Sequence, residues 1–98
     1  MKEPIFSPAS LRDIEEVAEF IARDRPAAAQ AFIERVIRAA DRLAQSPHMG
    51  TACDHLLTNA RCLSVGRYIV YFRPHEGTVQ MLRVVDGARD QRILDLDG

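Results

Sequence analysis

Between residues 61 and 92 lie six arginines, Arg61, Arg67, Arg73, Arg83, Arg89 and Arg92, against three acids, Glu76, Asp86 and Asp90. The stretch therefore carries a surplus of three positive charges inside a chain whose net charge is −1. Of the thirteen cations in the chain all but Lys2 are arginine. A guanidinium is a planar fork of donors that grips carboxylate or phosphate two bonds at a time and tolerates burial at interfaces. Such a surplus suits an acidic peptide or a nucleic-acid backbone. Solvated strand ends are the competing reading, and composition leaves both open.

Metal-free cleavage of RNA is the catalysis worth weighing. It needs a base for the 2′-hydroxyl, cations for the phosphate and an acid for the leaving oxygen. Arg61 and Arg83 would supply the cations, and Asp86, a histidine or a tyrosine the base. The set is thin: no lysine follows Lys2 and no tyrosine follows Tyr71. The near-zero net charge also argues against strong direct binding of DNA by the isolated chain.

Other chemistries find less support. Ser7, Ser10, Ser46 and Ser64 have no partnering His and Asp pattern. The five glycines form no phosphate-cradling loop. Glu15, Glu16 and Glu19 read as a solvated helix face. Cys53 and Cys62 form no C-x-x-C, and His48, His55 and His75 fall in loops, so no metal is expected, nor any cofactor. With no secretion signal at the N-terminus, the thiols are expected to be reduced and the protein cytoplasmic. No run approaches the roughly 18 apolar residues of a membrane span. Ninety-eight residues make one domain, 1–98, large enough for a core of its own.

The elements that must position the arginines follow from periodicity. Pro4 to Ser7 reads as a short edge strand. Ser7-Pro8 opens a helix, the hydroxyl capping and the proline fitting the first turn. Leu11, Ile14, Val17, Ala18 and Ile21 then make one apolar stripe. Arg25-Pro26 breaks this helix and Pro26 opens a second, with Asp24 nearby as a cap. Ala28, Phe32, Val36, Ala39 or Ala40, and Leu43 form its inward face, widened by Ile33 and Ile37. Ser46-Pro47 ends it.

Thr51 to Ala60 shows no clean period and reads as a loop with Leu56 and Leu57 tucked under a sheet. From there the period is two. Cys62 to Val65, Tyr68 to Arg73 and Thr78 to Asp86 are strands, separated by turns at Gly66-Arg67 and at Pro74 to Gly77. Ala88 to Leu96 reads as a short helical tail. The architecture is α+β: an antiparallel sheet in β-α-α-β-β-β order with a helical hairpin packed on one face. In the last strand Val79, Met81, Arg83 and Val85 fall on one face and Gln80, Leu82, Val84 and Asp86 on the other. Both faces carry apolar residues, so a partner or the tail is expected against the face the helices leave uncovered.

A series of motifs in this order carries a resemblance. Helix one holds Ser10-Leu11-Arg12-Asp13-Ile14. Helix two opens with P-x-A-A-x-x-F (Pro26 to Phe32), followed by L-x-x-x-P-x-x-G (Leu43, Pro47, Gly50). The strands hold R-x-x-x-V-G-R-Y-x-V-Y-F-R (Arg61 to Arg73) and L-R-V-V-x-G-A-R-D (Leu82 to Asp90). Each is weak alone; together, over nearly the whole chain, they resemble the ParE/RelE superfamily of bacterial type II toxins, in its ParE-like branch. The resemblance implies the fold above and a cognate antitoxin from the same operon, of the ribbon-helix-helix, ParD-like type. It implies a cytoplasmic toxin that poisons DNA gyrase, as ParE-like members do, and reaches operator DNA only through its antitoxin. RelE-like members instead cut messenger RNA on the ribosome. Where many ParE-like sequences have histidine, in V-x-H-G-A-R-D, this chain has Asp86, and the tail after Asp90 lacks the basic and aromatic set of the ribonucleases.

All six arginines are thus candidate partner-binding residues. Arg61, Arg83 and Asp86 are catalytic candidates only under the ribonuclease reading. Arg83 and Arg89 align with the motif arginines, and Arg83 has a structural alternative, pairing with Asp86 or Asp90. A non-toxic relative kept as a partner-binding module is the third reading.

Overall fold

The computed structural model describes residues 3–88. Arg89, Asp90, Arg92 and the helical tail read from the sequence lie outside those residues, apart from Ala88. The elements are β1 (Ile5–Phe6), α1 (Pro8–Ala22), α2 (Pro26–Gln45), β2 (Thr51–Ala52), β3 (Arg61–Val65), β4 (Tyr68–His75) and β5 (Thr78–Asp86). They build a five-stranded sheet in the order β1-β5-β4-β3-β2, with the helical hairpin on one face. The order read from the sequence holds, with two additions. The first strand pairs parallel to β5, Ile5 with Gln80 and Phe6 with Met81, so the sheet is mixed rather than wholly antiparallel. The loop after α2 also contributes a two-residue strand, β2, antiparallel to β3.

Ser7 caps α1 as its sequence suggests, accepting from the Ser10 amide at 3.0 Å, with Pro8 in the first turn. At α2 the cap expected from Asp24 is not made. Arg25 occupies the cap position without a side-chain bond, and Pro26, which has no N–H to satisfy, starts the helix. The inward face of α2 is Phe32, Val36, Ala39, Ala40 and Leu43, but Ala29 rather than Ala28 is the buried alanine. Ile37 turns outward and is exposed. These side chains meet Val70, Phe72, Val79, Met81 and Val84 of the sheet, with Ile14, Val17, Ala18 and Ile21 of α1 packed alongside.

The strict alternation expected along β5 fails at one point. Tyr71 pairs with Arg83 but Phe72 pairs with Met81, so Leu82 is an extra residue in β5. A bulge of this kind shifts the strand by one residue and reverses which face each later side chain serves. Val79, Met81 and Val84 consequently join the core under the helices, whereas Leu82 and Val85 join a second cluster. That second cluster contains Cys53, Ala60 and Tyr71, with Leu56 and Leu57 packed on it. The loop therefore tucks its leucines under the sheet as read. Tyr71, Leu82 and Val85 are at most 4% exposed, so the face expected to await a partner does not stand open.

The β4–β5 hairpin is longer than expected. Pro74 pairs with Val79 and His75 with Thr78, leaving Glu76 and Gly77 as the turn. Both have positive φ, 48° and 80°, as the tight hairpin turn with two left-handed residues demands. Pro74 is tolerated inside β4 because β3 ends opposite Phe72. No strand among the described residues asks for the missing amide there.

Candidate binding surface

Beyond Phe6 no strand among the described residues lies beside the outer edge of β5, and an unpaired edge must find partners for its backbone groups. The start of α1 provides them. Ser7 donates its amide to the Met81 carbonyl and its hydroxyl to the Leu82 carbonyl, both at 3.0 Å. Asp13, buried one and a half turns later, accepts from the Val84 amide at 2.9 Å. The same carboxylate takes Arg83 in two-pronged fashion, Nε to Oδ2 at 2.7 Å and Nη2 to Oδ1 at 3.0 Å. Arg83 is thus committed to the fold, and its ion-pair partner is Asp13 rather than Asp86. Its alternative partner Asp90 lies outside the described residues.

Arg61 is also engaged with its own chain. Its guanidinium donates to the carbonyls of Met49, at 2.8 Å, and Gly50, at 2.9 Å, tying the turn after α2 to β3. Arg73 donates to Gln80, its cross-strand neighbour, at 3.0 Å. Asp86 is held at 2.5 Å by Arg67. The Ala88 amide and then Arg67 keep the Asp86 carboxyl below the usual carboxylate range.

The three residues weighed for RNA cleavage are not brought together. Arg61 stands opposite Phe72 and Asp86 opposite Tyr68, four residues apart along β4, or about 13 Å. Arg83, on β5, is turned onto Asp13 of α1.

Of the described arginines read from the sequence, Arg67 alone lines a cleft beside the helical hairpin. This cleft, about 340 Å³, lies between the α1–α2 connection and the β3–β4 turn. Its apolar wall includes Phe20, Ile21, Phe32, Val65 and Tyr68, and its charged residues are Arg25, Arg35, Arg67 and Asp24. Phe32 and Tyr68 meet edge to face with centroids 5.0 Å apart, and the Arg67 guanidinium lies 5.8 Å from the Tyr68 ring centre. Arg35 reaches over the turn: a Cβ on Gly66 would come within 3.1 Å of its guanidinium. Gly66 has φ +61° in that turn, a left-handed backbone that favours glycine, and a Cβ there would crowd the Arg35 guanidinium. Phe20, 65% exposed, projects beside this cleft. Phe20 and Tyr68 also line a smaller cleft of about 200 Å³ with Val17, Val84 and Asp86. The two clefts share Phe20 and Tyr68; the guanidinium groups lie along the larger one, and the charged residues of the smaller one are the acids Asp13, Glu16 and Asp86.

Sequence reasoning missed Phe20, Arg25 and Arg35. Phe20 sits one residue off the apolar stripe of α1, and an aromatic on the polar side of an amphipathic helix was the available signal. Arg25 caps α2 and Arg35 lies within it, both outside the arginine-rich stretch, and only the folded hairpin brings them to Arg67.

A family model, the ParE toxin of the type II toxin–antitoxin system parDE, matches residues 5–91. Two curated relatives, each Toxin ParE1 of Mycobacterium tuberculosis (strains CDC 1551 / Oshkosh and ATCC 25618 / H37Rv), are 33% identical over 89 residues. The match covers 88% of this chain and 90% of each relative. Among solved structures, a chain of the chromosomal ParDE system of P. aeruginosa superposes with TM-score 0.73 at 16% identity, covering 88% of this chain and 96% of that one. A chain of the RelBE2 toxin–antitoxin complex of Mycobacterium tuberculosis superposes with TM-score 0.61 at 20% identity, over 90% and 93% of the two chains. At these identities the two structures establish the shared fold.

Proposed function

Because the chain belongs to the ParE toxin family of type II toxin–antitoxin systems, we propose that it inhibits growth by binding and poisoning DNA gyrase, and that a cognate antitoxin neutralises it. The antitoxin is a ribbon-helix-helix protein of the ParD type, which also carries the pair to operator DNA. Its tail is disordered when free and folds on the toxin as an amphipathic segment. The cytoplasm is the place of action; no helix among the described residues is long and apolar enough to cross a membrane.

One observation carries this reading: the apolar band at Phe20 and Tyr68, set among Arg25, Arg35 and Arg67. It has the composition of a binding surface, an aromatic anchor region with arginines around it. Apolar side chains of the tail fill the cleft and its acids meet the guanidinium groups. The dispersal of Arg61, Arg83 and Asp86 weighs against the ribonuclease reading.

Induction of the chain without its antitoxin tests the target. Double-strand DNA breaks and an SOS response with intact messages are expected. Discrete cuts within translated codons, mapped by primer extension, would replace gyrase by messenger RNA as the target. Unimpaired growth on induction would make the chain a non-toxic partner-binding relative.

A further inference from the structure

Cys53 and Cys62 are free thiols whose sulfur atoms stand 3.1 Å apart, the Cys53 S–H directed at the Cys62 sulfur. The contact follows from the sheet. Beyond the pairs Thr51–Cys62 and Ala52–Arg61, the Cys53 amide continues the ladder by donating to the Ala60 carbonyl at 2.7 Å. Cys53 is therefore opposite Ala60, and Cys62, two residues along β3, points to the same face. Both thiols belong to the cluster under the second face of the sheet, Cys53 buried and Cys62 half-buried. The separation exceeds a disulfide bond of ~2.05 Å by only about 1 Å.

We propose that Cys53 and Cys62 form an oxidative modification site, a dithiol that a small-molecule disulfide such as oxidised glutathione converts to an intramolecular disulfide. Cys62 is the attacking group because its side chain reaches solvent. Its thiolate attacks one sulfur of the oxidant, forming a mixed disulfide on Cys62 and releasing one thiolate, which takes up the proton Cys62 gave up. Cys53, already in contact, then attacks the Cys62 sulfur. The second small thiolate departs and the Cys53 proton ends on it. One disulfide is reduced to two thiols while two protein thiols become one disulfide, so atoms and electrons balance. Burial, together with Cys62 alongside, pushes the Cys53 thiol up to about 12, so it stays protonated until the mixed disulfide forms. The new bond staples the base of the 53–60 loop, which holds Leu56 and Leu57 against Tyr71, Leu82 and Val85. This site is independent of the toxin reading.

The test uses the purified full chain in buffers of increasing oxidised-to-reduced glutathione ratio, followed by alkylation and mass mapping. The expected product is a monomer two hydrogens lighter, unreactive to the alkylator, with Cys53 and Cys62 in one cross-linked peptide. Cys53→Ser is expected to stop at a single glutathione adduct on Cys62. Cys62→Ser is expected to stay unmodified. A wild-type chain that keeps two alkylatable thiols in oxidised glutathione, retains a stable glutathione adduct, or cross-links only between molecules would overturn the assignment. The wild-type result decides even where a variant fails to fold.

Discussion

Asp13 and Arg83, seventy residues apart in the chain, close the exposed edge of β5 with a two-pronged ion pair at 2.7 and 3.0 Å. The same carboxylate holds the Val84 amide. One side chain of α1 thus does for the end of β5 what a further residue of β1 would have done.

Replacing Asp13 by alanine removes the carboxylate shared by a largely buried guanidinium and the Val84 amide. A loss of about 3 kcal/mol in unfolding free energy is expected, the scale seen when one partner of a buried pair is removed. Urea denaturation followed by circular dichroism measures it. A loss under about 1 kcal/mol, the scale of surface pairs, would show that the bridge does not hold the edge.

Phe20 offers the opposite profile. It is 65% exposed, so Phe20→Ala should shift stability by no more than about 0.5 kcal/mol. Binding of the antitoxin should weaken by about 2 kcal/mol, roughly thirtyfold in Kd, as for an aromatic anchor. Arg35→Glu and Arg67→Glu should also weaken it, with slower association at low salt. Calorimetric titration with the antitoxin tail reads all three variants. Wild-type affinity in all of them would move the docking site elsewhere. Arg83→Glu is a poor probe of binding, because it places a carboxylate against Asp13.

Gly50 has φ +79°, and a Cβ there would lie 2.4 Å from the Cys62 carbonyl oxygen. Gly50→Ala combines a left-handed backbone with a collision against a strand, and should cost about 2 kcal/mol or more. Thermal unfolding measures it. The same turn is held by Arg61 through the Met49 and Gly50 carbonyls, so Arg61→Ala should loosen the same segment in hydrogen exchange.

Alkaline pH should unfold the protein earlier than its acids alone would dictate. Burial raises Tyr71 from 10.0 to about 12, and Cys53 from 9.0 to about 12. A group raised in the folded state contributes its full share of stability below its unfolded value. That share is lost as pH climbs from about 9 towards 12, where the unfolded chain releases the protons first. Denaturation midpoints measured from pH 8 to 11 should fall, and Tyr71→Phe should make the decline above pH 10 shallower. An unchanged slope would argue that Tyr71 does not contribute to it.

The fold was legible in the sequence because its signals were local. Ser7-Pro8, Arg25-Pro26 and Ser46-Pro47 bound the helices, and Gly66 and Gly77 mark turns through their backbone freedom. What stayed hidden depended on distant partners. Nothing near Asp13 announces Arg83. The bulge at Leu82 is silent because residues on both faces of β5 are apolar, so a change of phase leaves no mark on the pattern. β2 is too short for a period. The arginine surplus was visible, but Arg61, Arg73 and Arg83 turned out to serve their own chain. Arg67 reaches the apolar band, with Arg25 joining it from the cap of α2 and Arg35 from within that helix, neither of which the charge count singled out.

Ile5 and Phe6 find their strand partners at Gln80 and Met81. During synthesis β1 must therefore wait, unpaired, until β5 has left the ribosome. A chain cut short anywhere before β5 lacks the strand that both α1 and β1 rest on. The sheet gains its finished edge only once β5 has emerged, the moment at which a freshly made binding partner first has that edge whole to seize.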